Sequence, residues 1–119
     1  MTPQRISIVS PVYNEEPTVR RFYERLAAAL APLSGRYEFE IIFTNNRSTD
    51  ATAERVLEIR AQDPRVQLLT LSRNFGYQQS MLAGIRQASG AAICLIDADG
   101  EDPPEMLAEI GRASCRERV

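Results

Sequence analysis

The stretch LIDADGEDPPE, residues 95–105, sets Asp97, Asp99, Glu101 and Asp102 directly behind an apolar run. Carboxylates crowded in this way repel one another unless something positive sits among them. One acid is enough to cap a following helix, and Asp102, immediately before Pro103, is best placed for that. The others are then free for another task. An Asp-x-Asp at the end of a strand carries both carboxylates past the sheet edge. The chain contains no histidine, so a metal bound there takes oxygen ligands, which suits Mg²⁺ or Mn²⁺ held jointly by carboxylates and substrate phosphates. Arg73, in SRNFG, is a candidate cation, and Tyr13 offers a ring on which a flat group can stack. No histidine-based triad or general base is available. The first β-to-α turn reads SPVYNEEP, without the glycines of a dinucleotide or P-loop site. Phosphates are therefore expected to be held by a metal and side chains.

Four elements of one pattern must position these groups. The strands are expected at ISIVS (6–10), FEIIFT (39–44), VQLLTL (66–71) and AAICLI (91–96), the last ending at the acidic cluster. Between them, Val19, Phe22, Tyr23, Leu26, Leu30 and Leu33 recur at helical spacing behind Asn14 as a cap, with Gly35 closing the element. Ala53, Val56, Leu57 and Arg60 give a second helical face, capped by Ser48 or Thr49. Met81, Leu82 and Ile85 give a third, from about Gln78 to Ala88 and stopped by Gly90. Pro103 and Pro104 start a further helix with Met106, Leu107 and Ile110. Alternating strands and helices predict an α/β domain with a mainly parallel, Rossmann-like sheet. Ligands bind such sheets at the carboxyl ends of the strands. The four loops there, PVYNEEP, NNRSTD, SRNFGYQ and DADGEDPPE, are the most polar parts of the chain.

The bulk properties fit. The chain has 119 residues, 44% of them hydrophobic and 25% charged, with a formal net charge of −2. That size supports one domain, and the weak net charge gives no field that draws nucleic acid. No run approaches the ~20 apolar residues of a membrane span, and the N-terminus lacks the apolar region of a signal peptide. Cys94, in an apolar run, is expected to be buried and unpaired with Cys115. Residues 1–110 read as the domain. Residues 111–119, GRASCRERV, break the apolar spacing and read as a non-native or irregular tail.

ISIVSPVYNEEPTV, NNRSTDAT, SRNFGYQQSMLAGIRQASG and LIDADGEDPPE together resemble the successive motifs of family 2 glycosyltransferases. The nearest likeness is to the branch containing dolichol-phosphate mannosyltransferase and bacterial polyprenyl-phosphate sugar transferases. The resemblance implies a GT-A fold and an inverting, metal-dependent transfer of sugar from a UDP- or GDP-sugar to an acceptor, polyprenyl phosphate in that branch. It implies that Pro11, Tyr13, Glu15, Asn46, Arg73 and Asp97 bind the nucleotide. Asp97 and Asp99 would be the catalytic Asp-x-Asp, and Asp99 and Glu101 would hold Mg²⁺ or Mn²⁺. It also implies a cytoplasmic location at the membrane face, with membrane contact made by a C-terminal part that this chain lacks.

The sequence departs from the family pattern at three points. Asn45 and Asn46 stand where two aspartates are usual. Gly100 and Glu101 replace Leu-Gln. The chain also has the length of an N-terminal half, which is expected to be inactive alone and prone to oligomerise through an uncovered edge. A non-catalytic nucleotide-binding fragment is the rival reading. DADG also resembles the start of the haloacid-dehalogenase phosphatase signature. That signature continues with threonine or valine where Glu101 stands, and it opens its domain, whereas three βα units come first here.

Overall fold

The computed structural model describes residues 4–98, together with the backbone of residues 116 and 117. Four strands, β1 (Gln4–Val12), β2 (Tyr37–Asn45), β3 (Val66–Thr70) and β4 (Ala92–Leu95), form a parallel sheet. The two-residue β5 (Arg116–Glu117) pairs antiparallel with β4. The spatial order is β3-β2-β1-β4-β5. The reversal between β1 and β4 opens a crevice at the carboxyl ends, where the expected loops meet.

Helices α1 (Val19–Leu30), followed by a 3₁₀ turn at Ala31–Leu33, and α2 (Thr52–Gln62) cover one face of the sheet. The core there is built from Ile6, Ile8, Ile41, Phe43, Val56 and Ile59 together with the α1 stripe Val19, Phe22, Leu26 and Leu30. The stripe on α2 is Thr52, Val56 and Ile59, while Leu57 is exposed. The expected Ala53–Leu57 face is therefore rotated by about one residue. Helix α3 (Tyr77–Gln87) covers the other face, where Val9, Ile42 and Ala88 form a smaller cluster.

The contact surface of α3 is not the expected Met81-Leu82-Ile85 stripe. Its buried residues are Ser80 and Gly84, followed by Ala88 just beyond the helix, and Leu82 is exposed. Small side chains let the helix lie close to the strands. A Cβ at Gly84 would stand 2.7 Å from the Thr44 methyl, so even alanine would overpack this contact. The tight seat brings the first turn of α3 over the crevice.

Two buried carboxylates tie the elements together. Glu40 accepts hydrogen bonds from Ser7 Oγ (2.5 Å), Ser89 N (2.6 Å) and Gln67 Nε2 (3.2 Å), linking β1, β2, β3 and the turn before β4. Burial alone would raise its pKa, but the bonds from Ser7 and Ser89 and the charge of Arg5 bring it below the ordinary value. Cys94 is buried as expected, but it is disulfide-bonded rather than free, with its partner outside the described residues.

Asp63, at the turn into β3, accepts from Tyr23 Oη (2.6 Å) and from Arg65 Nη2 (2.8 Å) and Nε (3.0 Å). Mainly through the Arg65 guanidinium, and against its own burial, its pKa is lowered to about 2. A depressed carboxylate stabilises the fold above its unfolded pKa, and that contribution is lost as pH falls through the folded value. Urea unfolding should therefore show about 2 kcal/mol of stability at neutral pH that vanishes between about pH 4 and pH 2. Asp63→Asn should lose most of it at pH 7 and flatten that limb; an unchanged acid limb would contradict the assignment.

Candidate functional site

The loop after β1 turns sharply at Asn14, whose φ of 51° lies in the left-handed region. Asparagine tolerates that region better than most residues. Asn14 was the expected cap of α1, but the helix starts later, after Thr18, without a side-chain cap. Asn14 instead reaches the β2 loop. Its Oδ1 accepts from Thr49 N (2.8 Å), and its own N–H donates to Ser48 Oγ (3.0 Å). Glu15 N donates to Thr52 Oγ1 (2.9 Å), and Glu16 Oε1 accepts from Ala51 N (3.1 Å). Ser48 and Thr49 are thus spent on this seam, and α2 begins at Thr52 without a side-chain cap from either. Asp50 Oδ1 takes the Thr52 N–H (3.0 Å) and its hydroxyl, while Oδ2 takes Glu16 N–H (3.3 Å). Partial burial would raise its pKa, but these bonds hold it below the ordinary value.

The end of β2 supplies two buried carboxamides. Asn45 Oδ1 accepts from Ser48 N (3.0 Å) and Oγ (2.7 Å), closing the second loop on itself. Asn46, 5% exposed, reaches the third loop. Its Oδ1 accepts from Phe75 N (2.9 Å), and its Nδ2 donates to Asn74 Oδ1 (2.8 Å). Asn74 Oδ1 also accepts from Gly76 N (2.9 Å). Gly76 has a φ of 91°, a conformation that favours glycine, and it turns the chain directly into α3. Tyr77 Oη then donates to Asp97 Oδ1 (2.6 Å), spanning from α3 to the residue after β4. Ser80 Oγ lies 2.9 Å from Thr44 Oγ1 and anchors the same helix on β2.

These loops enclose a cavity of about 440 Å³. Pro11, Tyr13, Glu15, Asn46 and Asp97, expected from the sequence, all line it. Arg73 does not; its guanidinium stacks on the Phe75 ring at 4.7 Å. Asp99 and Glu101 lie outside the described residues. Asn74, Gly76, Tyr77 and Ser80 also line the cavity, and the sequence reading missed them. The glycine in SRNFGYQ was a signal for the turn, but the partners of Asn74 and Tyr77 lie 28 and 20 residues away. Among the described residues, no three His, Cys, Asp or Glu side chains cluster as a metal site.

Residues 7–118 match the family model described as glycosyl transferase family 2. The chain is 43% identical over 104 residues to the uncharacterized glycosyltransferase YkcC of Bacillus subtilis. It is 41% identical over 105 residues to a bactoprenol glucosyl transferase of Shigella phage SfV. Each alignment covers 87% of this chain, but 32% and 33% of those relatives, so the chain spans about a third of their length. Among solved structures it resembles a mannosyltransferase from Pyrobaculum calidifontis in complex with GDP-Man and Mn²⁺, with a TM-score of 0.71 at 22% identity, covering 82% of this chain and 28% of that one. At that identity the likeness establishes the fold, which is the GT-A type.

The seam between the first two loops can be weighed directly. Asn14→Ala loses the bond to Thr49 and places a Cβ-bearing residue without local compensation at positive φ, a combined loss of about 2 kcal/mol. Asn14→Gly keeps the backbone freedom and should lose only about half as much. Urea denaturation of the three proteins checks the order; equal midpoints would show that the Asn14 side chain contributes nothing to the seam.

Proposed function

The chain belongs to glycosyl transferase family 2, and we propose that it is the donor-binding part of an inverting transferase that moves a sugar from a UDP- or GDP-sugar to polyprenyl phosphate. The observation that carries this reading is the convergence of Pro11, Tyr13, Glu15, Asn46 and Asp97 in one cavity at the carboxyl ends of the strands. The bactoprenol glucosyl transferase relative supports the lipid-phosphate acceptor, and the GDP-Man complex in a protein of the same fold supports the donor class. The phosphatase alternative is not favoured by any of these likenesses. A polyprenyl acceptor would bring the full-length protein to the cytoplasmic face of a membrane. Among the described residues no helix is long and apolar enough to cross one.

In this reading Tyr13, 41% exposed, stacks on the base, and Glu15 accepts from the ribose hydroxyls. Asp97 faces the diphosphate, oriented by the hydroxyl of Tyr77. The donor set fits a divalent cation: hard carboxylate oxygen at a strand end in a chain without histidine. Asp97, Asp99 and Glu101 would hold Mg²⁺ or Mn²⁺, which when bound offsets the charge that develops on the leaving diphosphate. An acceptor phosphate has a second pKa near ~6 and is largely ionised at neutral pH. It therefore needs little help from a general base.

Calorimetric titration with UDP and GDP, with and without Mn²⁺, tests the assignment. Binding should require the metal and fall at least about tenfold, or about 1.4 kcal/mol, in Asp97→Asn and in Asp99→Ala. Metal-independent binding of equal strength in all three proteins would contradict it.

A further inference from the structure

We propose that the outer edge of β3, together with the flank of α2 that carries Leu57, is a homodimer interface, at which a second copy of this chain pairs antiparallel with β3 about a two-fold axis.

The spatial order of the strands shows which edge is open. β5 pairs with Ala92 and Ile93 on the outer side of β4, whereas β3 ends the sheet on the other side with no strand beyond it among the described residues. The ladder from β3 to β2 runs from Ile41 N–H on Arg65 O (2.9 Å) to Leu71 N–H on Asn45 O (2.9 Å). In a parallel ladder alternate residues serve the same neighbour, so Gln67 and Leu69 complete it. Leu68 and Thr70 then turn their N–H and C=O groups outward, past the edge. Soluble proteins guard such an edge with charge or proline. β3, VQLLT, carries neither.

Helix α2 adds a side-chain flank to the same edge. Arg20 of α1 reaches Glu58 (3.8 Å), so the Arg55–Glu58 side of α2 faces α1. Ala53, Leu57 and Arg60 lie on the opposite side of the helix, toward the open edge. Leu57 is 49% exposed there. It stands five residues before the end of α2, about 7.5 Å, and Leu68 stands two residues after the start of β3, about 6.6 Å. The two leucines are therefore level along the sheet.

That level placement makes the surface self-complementary. A two-fold axis at Leu68 lets its N–H and C=O bond those of Leu68 in the second copy, and Thr70 N–H then donates to Val66 C=O of that copy. Helix α2 packs on both β2 and β3, which puts the two α2 axes about 10 Å apart across the join, a helix-packing distance. Leu57 meets its own counterpart. Arg60, three residues after Leu57, comes opposite Glu54 of the second copy, three residues before it. Both are exposed and have no ion-pair partner among the described residues. The interface thus offers backbone pairing, an apolar contact and two opposite-charge pairs.

Sedimentation velocity of the 119-residue chain over a wide concentration range tests the proposal. The parent should show a reversible monomer–dimer equilibrium. Leu57→Lys sets like charges against each other, and Thr70→Pro removes the outward donor at a position where an edge strand tolerates proline. Each should weaken the dimer at least about tenfold. Arg60→Glu should weaken it too, and adding Glu54→Arg to that variant should restore it. Leu82→Lys, on α3 across the sheet, should leave the equilibrium unchanged. Leu57→Lys and Arg60→Glu alter only exposed side chains, so they carry the test even if Thr70→Pro fails to fold. A parent that stays monomeric at every concentration leaves the edge to another occupant and would overturn the proposal. So would open-ended aggregation in place of a dimer, or a dimer lost on reduction or in Leu82→Lys but kept in Leu57→Lys and Arg60→Glu.

Discussion

The consecutive carboxamides of Asn45 and Asn46 at the end of β2 hold the candidate site together. Strands that stop at a crevice leave loop N–H groups that must find partners. Here the partners are mostly side chains. Asn45 closes the second loop through Ser48. Ser48 takes the N–H of Asn14 from the first loop. Asn46 fixes the third loop through Asn74 and Phe75, and that loop delivers Tyr77 to Asp97. Four loops are thereby referred to one strand end, without a glycine-rich phosphate cradle. Holding binding groups in place before a ligand arrives reduces the ordering cost of binding.

The packing below serves the same arrangement. Ser80 and Gly84 let α3 sit closer to the sheet than a stripe of leucines would. Its first turn then reaches the cavity instead of standing above it. Glu40 and Asp63 secure strands and turns away from the cavity through buried, charge-assisted bonds. The scaffold can thus be stabilised without drawing on the groups at the strand ends.

The strands were legible in the sequence because their β-branched runs are bounded by prolines, glycines and polar turns, and the observed sheet keeps all four in parallel. Of the cavity residues, Tyr13 and Asp97 were legible from residue type and strand-end position, and Pro11, Glu15 and Asn46 only by family likeness. Helix faces were read less well. Leu57 and Leu82 look like core residues by type, yet they are exposed, and the seats belong to Thr52, Ser80 and Gly84. Hydrophobicity favours large side chains, whereas close approach favours small ones. The caps were misassigned because Asn14, Ser48 and Thr49 can bond across loops as readily as along their own helix. The roles of Asn74 and Tyr77 depend on partners distant in sequence, which no local pattern reveals.

Amide hydrogen exchange on the ligand-free protein tests the central claim most directly. The N–H groups of Asn14, Ser48, Thr49, Phe75 and Gly76 all donate to side-chain acceptors. If the loops are clasped before any ligand binds, these amides are protected well above unfolded rates, and Asn46→Ala exposes Phe75 and Gly76 while leaving Ser48 and Thr49 protected. Exchange of all five at unfolded rates in the ligand-free parent, with protection arising only on addition of nucleotide and metal, would contradict the account.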